Sequence, residues 1–418
     1  MSPPFGRLTS HHMHNVPSSI PATRRRVIIW MVSILVPMGI ALIGAMIWLW
    51  PSGVHQELSL DDPYGTTESF AVESGSVTSV AANACEDASD TGSPTDVQVD
   101  IECQTAQVGT DSGTYDVEIP VQVSASSEVV RGDNVKILVG EDLAETGVFV
   151  DFERTIPVGL LAALYAVVVI VVARWRGVRA IGGLVLSFVV LFGFMIPALL
   201  EGRPPFWVGL IGSMLIMLVV LYFAHGFSLR TTTALLGTFI GLLLTAGLAA
   251  WASDSAYLIG LGEEYSYMLA SVVPEIRLSG IVLTGLLVAG LGVLNDVTIT
   301  QSSAVWEIKA AQPTISPRNL FAAGMRIGRD HIASTVYTIA FAYAGAALPM
   351  LIVVSLYDRS MLDTLMSAEM VEEVVRILVG SVGLVLAIPI TTGIAVAVAN
   401  AVAEPTGQIS RATEPQVH

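Results

Sequence analysis

The sequence predicts a polytopic α-helical membrane protein of about eight transmembrane helices, with a small all-β extracytoplasmic domain inserted after the first helix. Three observations carry that fold class. Of 418 residues, 53% are hydrophobic and only 13% charged, and apolar runs of bilayer-spanning length recur with short loops between them. Between the first and second runs the apolar period changes from continuous to two, the signature of half-buried strands. The loops joining the runs carry most of their Lys and Arg on one side, the positive-inside pattern of a multi-pass chain.

Residues 1–26, rich in Pro, Ser and His and ending in Arg24, Arg25 and Arg26, read as a disordered cytoplasmic tail. His11, His12 and His14 lie in it without a second shell to fix a metal ion, so no metal is assigned. Residues 27–50 form the first apolar run, closed by Trp48, Trp50 and Pro51; it is too long for a signal-peptide core and no small-x-small cleavage site follows, which predicts a retained anchor helix.

Residues 51–153 hold 21 of the 36 acidic residues. Five strands are predicted there: 76–82, 96–103, 114–123, 134–140 and 148–154. In "DVQVDIEC" Val97, Val99, Ile101 and Cys103 alternate with polar residues, and in "TYDVEIPVQV" Tyr115, Val117, Ile119, Val121 and Val123 do the same. A small barrel or sandwich, OB-like in size, accounts for them. The acidic surface excludes nucleic acid as a partner. Cys85 and Cys103 are the only cysteines, and a disulfide between them is the natural reading in an oxidising compartment, with two free thiols the alternative.

Residues 154–403 supply seven further spans, near 155–173, 180–200, 206–224, 231–252, 278–306, 332–355 and 375–402, and residues 404–418 a second cytoplasmic tail. Arg174, Arg176, Arg179, Arg230, Lys309, Arg318, Arg326 and Arg329 lie in one set of loops, against Arg203, Arg277 and Arg359 in the other. Both termini are therefore expected in the cytoplasm and residues 51–153 outside. Gly237 and Gly241 form a small-xxx-small face suited to close helix packing.

The sixth span turns polar before it ends: "GLGVLNDVTITQSSAVWEI" places Asn295, Asp296, Thr300, Gln301, Ser303 and Glu307 where the helix should still be in the membrane. Steps of four, three and four put Asp296, Thr300, Ser303 and Glu307 on one face, with Val305 and Ile308 opposite. A carboxylate in hydrocarbon costs at least ~2.5 kcal/mol, so the stripe must face protein or water, and it is the candidate path for an ion or small solute. The span is long for an upright helix; the glycines of "GLGVLND" offer a break, and a discontinuous helix would expose backbone to a cavity. Asp296 could take up and release a proton in a transport cycle. Beyond it, Arg326, Arg329, Asp330 and His331 open the seventh span, and pairing of Arg326 or Arg329 with Glu307 or Asp296 would gate the inner end.

The motifs "LGVLNDVTITQSSAVWE", "RIGRDHIASTVYT" and "AYAGAALP" resemble the signature of the YibE/F family of bacterial multi-pass membrane proteins. The resemblance covers the chain after its tail and implies one anchor helix, an outer domain and a bundle of about seven helices in the bacterial cytoplasmic membrane, with a permease-like role. The family pattern often carries an acidic residue where this chain has Asn295 and an asparagine where it has Tyr337, which weakens a two-carboxylate cation site here.

Enzymatic readings fail on motifs. Neither a GxGD turn nor HExxH is present, which excludes the intramembrane proteases, and no Walker A sequence supports ATP hydrolysis. No cofactor is implied. Two functions remain: an ion-gradient-driven secondary transporter or exporter of a small solute or ion, working through the polar stripe, and a non-transporting envelope factor whose outer domain binds a protein partner.

Overall fold

The computed structural model describes residues 22–53, 70–84, 102–140, 143, 145–260, 264–273, 276–356 and 360–402. The tail histidines, Cys85, strand residues 96–101, Arg359 and the second tail lie outside them. The chain divides into two compact units, Leu58–Arg174 and the remainder.

The first unit contains a closed five-stranded barrel. Its strands are β1 (Phe70–Ala84), β2 (Glu102–Gly109), β3 (Thr114–Ile119), β4 (Asn134–Gly140) and β5 (Thr146–Phe152), joined around the barrel in the order β1-β2-β3-β5-β4. All pairings are antiparallel except β3 with β5. This order, with a short helix α2 (Val121–Ser126) between β3 and β4, is that of an OB-type barrel. β1 closes the sheet by pairing with β4 through its first half and β2 through its second, with an irregularity between Val77 and Ser79 where it bends. Val77, Ala106, Val108, Val117, Ile119, Val135 and Ile137 fill the interior.

Two details differ from the sequence expectation. Val121 and Val123 are helical, not strand: Pro120 cannot donate to a ladder and stands at the N-cap of α2, and Val123 packs onto the barrel core from the helix. In β2 the inward residues are Ala106 and Val108, beyond the predicted strand 96–103. Cys103 lies in β2 opposite Asn83; its proposed partner is not among the described residues.

Around the barrel's lower strands, acidic groups are held ionised. Hydrogen bonds from the Thr155 hydroxyl and amide and from Ser74 lower the Glu153 carboxyl from 4.5 to about 2. Arg154 lowers Asp151, and Ser112 lowers Glu73. Depressed carboxylates contribute stability that is complete above their unfolded pKa and lost as pH falls toward the folded value. Hydrogen-exchange protection of the strand amides, corrected for intrinsic rates, is therefore expected to fall between about pH 4.5 and 2, and less steeply in Glu153→Gln.

The same unit ends in α3 (Thr155–Ala173), which buries none of its residues. Contacts thus divide the chain after this helix and not at residue 153.

The second unit is a helical bundle. Its helices are α1 (Ala22–Trp48), α4 (Trp175–Val190), α5 (Ile196–Leu200), α6 (Pro205–His225), α7 (Leu229–Ser255), α8 (Glu264–Val272), α9 (Leu278–Ala311), α10 (Pro317–Ala346), α11 (Leu348–Ser355), α12 (Met361–Leu365) and α13 (Ala368–Val402). A π-helical turn, Leu191–Met195, links α4 to α5. With α3, seven of the described helices are long and apolar enough to cross a membrane, and the bent pair α10–α11 makes eight if it is one span. The 68° bend falls at Ala347, two residues before Pro349, which lacks an amide proton and disfavours helix in the residue before it.

α7, α9 and α13 pack against one another at the centre; α6 lies on α9, α4 on α6, α10 against α9 and α13, and α1 on α6 and α13. Small residues permit the approach. A Cβ at Gly237 would fall 2.2 Å from the Thr391 hydroxyl, and one at Gly241 3.2 Å from Ala387 and Leu294. At the far end of α1, Glu201 accepts hydrogen bonds from the Ser52 amide and hydroxyl and the Gly53 amide, fixing the end of α1 to that of α5.

Candidate functional site

α9 is a single continuous helix of 34 residues, so the break foreseen in "GLGVLND" does not occur. Nothing lies within 4 Å of where a Gly292 Cβ would be, and a Gly290 Cβ would make only an ordinary contact with Thr245; neither glycine marks a hinge or a close helix approach.

The polar residues of α9 occupy two faces, with different fates. One face is buried. Thr298 shares a 2.6 Å hydrogen bond with Thr238 of α7. Gln301 donates through Nε2 to the Gly324 carbonyl of α10 at 2.8 Å and to the Thr392 hydroxyl of α13 at 2.7 Å, so one amide braces three helices. The Ser302 hydroxyl donates to the Arg230 carbonyl at 2.9 Å. Val305, expected on a lipid or helix face, is fully buried against α10 and α13 beside Leu320 and Ala395.

Asp296, Thr300 and Glu307 share the other face and are exposed on the bundle, with Ser303 half-buried. The Asp296 and Glu307 side chains are each 68% exposed. Glu307 pairs with Arg230 of α7, Nη2 to Oε1 at 2.8 Å, and not with Arg326 or Arg329. Asp296 meets His331 of α10, Oδ2 to Nε2 at 3.6 Å. That is ion-pair distance, beyond a direct hydrogen bond. Beside the pair, Asn295 Oδ1 and His331 Nε2 are both shielded from solvent with no hydrogen-bond partner. Unpaired buried polar atoms are rare in native proteins, and each calls for a water, ion or ligand group as its partner.

Arg326, Arg329, Asp330 and His331 lie well inside α10, not in a loop before it. The start of that helix was legible: Ser316 caps it by accepting from the Asn319 amide, and Pro317 stands at its first position. Arg326, Arg329 and Asp330 are exposed, and none has a charged partner among the described residues. The buried face of α10 is Leu320, Gly324, Gly328 and Ile339.

Residues outside the predicted site also carry polar chemistry. Thr238, Thr391 and Thr392 are buried at the α7–α9–α13 junction, where a helical wheel of α9 had a second polar face, Thr298, Gln301 and Ser302, to meet them. Further along α13, Arg376 bonds Glu373 at 2.5 Å, with its guanidinium 5.8 Å from the Tyr343 ring of α10. At the opposite end Lys309 bonds Asn400 at 2.8 Å.

The two faces make separable demands. Thr298→Val removes one cross-helix bond while leaving Thr238 bonded to the Ala234 carbonyl. It is expected to cost about 0.6–2 kcal/mol in thermal unfolding in detergent, as interhelical hydrogen bonds do in membranes. Thr300→Val, on the open face, is expected to leave the midpoint unchanged.

No curated protein and no solved structure matches the chain. Residues 161–401, from within α3 to the end of α13, match the model of the YibE/F-like proteins. The match spans more than half of the chain and includes the Asp296–His331 pair and the Gln301 brace, and it shows that the chain belongs to the YibE/F-like family.

Proposed function

We propose that this multi-pass protein is an ion-gradient-driven secondary transporter of a small solute or ion, with Asp296 and His331 as its titratable step. In this reading the chain lies in the bacterial cytoplasmic membrane, both termini are cytoplasmic and the barrel is outside; Arg174, Arg176, Arg179, Arg230, Lys309 and Arg318, at or near the ends of their helices, support that orientation. The observation that carries the reading is a carboxylate and an imidazole at ion-pair distance near the middle of two long, packed helices, the first of them apolar enough to span a membrane.

Depth supports it. If the Arg230–Glu307 pair marks the inner interface, Asp296 lies eleven residues further along α9, about 16 Å at 1.5 Å per residue. That is close to the middle of a hydrocarbon layer ~30 Å thick. Charged groups at such depth are costly and mark ion or proton pathways. With His331 protonated, the pair draws α9 and α10 together; with the proton lost, Asp296 and the free Asn295 oxygen are open to a cation or a solute hydroxyl. The exchange of one for the other is the coupling step.

Jumps of pH or of common cations across proteoliposomes on a solid-supported membrane test the reading, with transient currents expected from the wild type. Folded protein that gives neither a current nor collapse of an imposed pH gradient would end it.

A second reading is favoured by the barrel alone. OB-type barrels bind ligands across the face of strands 2 and 3, where this one presents Gln107, Asp116 and Glu118. An envelope factor of this kind would tolerate Asp296→Asn and fail on deletion of residues 58–153.

A further inference from the structure

We propose that the outward face of α10 is the interface between two copies of this chain. The helix touches α9 and α13 through Leu320, Gly324, Gly328 and Ile339. Its other face carries Arg326, Arg329, Asp330, Ser334, Tyr337 and Thr338, all exposed. The three charges on it have no charged partner among the described residues of their own chain. Antiparallel packing on α9 sets Asp330 beside the level of Asp296, so the face lies at membrane depth by the same reckoning. Hydrocarbon cannot cover unpaired arginine and aspartate at that depth.

The charge pattern selects the occupant. A closed pair of identical membrane proteins has its two-fold axis along the membrane normal, so α10 meets its copy in parallel and each residue meets the same depth. Arg329 and Asp330 are adjacent, with a rise of 1.5 Å between them, so each arginine reaches the partner's Asp330 and each aspartate is reached in return. The exposed helix α3 has only Thr155 and Tyr165 as polar residues and no acid or base, and α1 is engaged with α6 and α13.

The association stands on the surface chemistry of α10 alone. Its consequence rests on the transport reading: the Asp296–His331 pair, open at the bundle surface in one copy, is enclosed between two.

Photocrosslinking of the full chain in native membranes tests the proposal without disturbing its cysteines. Benzoylphenylalanine at position 337 is expected to yield a crosslink at twice the 44.2 kDa chain mass, mapped to α10 of a second copy, and none at position 188 of α4, an equally bare apolar site. Arg329→Asp and Asp330→Arg are each expected to lower the yield on the order of tenfold, as loss of one partner of a buried pair does, and the double swap to restore it. A crosslink only to lipid, only to another protein, or from 188 and not 337 would overturn the proposal, as would labelling of Ser334→Cys by a membrane-impermeant thiol reagent at the rate of a free thiol. Dimers without transport would leave the interface standing and remove the transport reading; currents from monomers would do the reverse.

Discussion

Asp296→Asn should reduce transient currents to a small residual above that of empty liposomes while leaving the protein as stable as wild type. The two halves of that result have separate causes. Asp296 is exposed on the bundle and lies 3.6 Å from a histidine, so removing its charge forfeits at most a weak ion pair, worth less than about 1 kcal/mol. Asparagine keeps the size and one acceptor oxygen, and no core contact is lost. What it cannot do is exchange a proton or hold a cation by charge. A residue with little structural work and a large functional effect is the expected behaviour of a coupling site. His331→Gln should impair the current as well, because it removes the side chain 3.6 Å from the Asp296 carboxylate.

Gly328→Val should strongly destabilise the bundle. A Cβ there would stand 2.6 Å from Ile388 Cγ2 and 3.3 Å from both polar atoms of the Gln301 amide. None of these neighbours can retreat: Ile388 and Gln301 are both buried, and Gln301 is held by bonds to α10 and α13. Overpacking costs about 1–3 kcal/mol, and displacement of α10 would also strain or break the two bonds of the Gln301 brace, each about 1 kcal/mol in a membrane protein. Gly345→Ala on the same helix meets nothing within 4 Å and should be neutral or slightly stabilising, since alanine is the better helix former. Thermal midpoints in one detergent compare the two variants directly.

Much of the fold was legible because its signals are local. Bilayer-length apolar runs give the spans, and alternation at 114–119 and 134–140 gives β3 and β4 within a residue or two. Alternation failed at Val121 and Val123, where Pro120 starts a helix whose inward residues happen to fall two apart. The start of α10 was placed too late because its charges read as a loop, although Ser316 and Pro317 mark a helix beginning. The sequence left a barrel and a sandwich as alternatives, since closure depends on β1 pairing with β2 and β4 at once.

The site was legible in composition and not in arrangement. The wheel of α9 correctly groups Asp296, Thr300 and Glu307, but a wheel does not say which face meets a neighbour. The other face, Thr298, Gln301 and Ser302, of which only Gln301 was singled out and then as part of the path, is the one that packs, because Gly324 and Gly328 of α10 and the threonines of α13 leave room for it. Partner choice was likewise out of reach. Glu307 takes Arg230 because Ser302 ties the start of α7 alongside it, a contact between residues 72 apart in the chain.

The central claim is that Asp296 and His331 act as one unit, and a double-mutant cycle on the transient current tests it most directly. Wild type, Asp296→Asn, His331→Gln and the double variant would be reconstituted at equal density and challenged with the same pH jump. The expected result is that the double variant carries no less charge than the weaker single variant, as for two groups serving one step. Losses that multiply would contradict it, placing the carboxylate and the imidazole in separate roles despite the 3.6 Å between them.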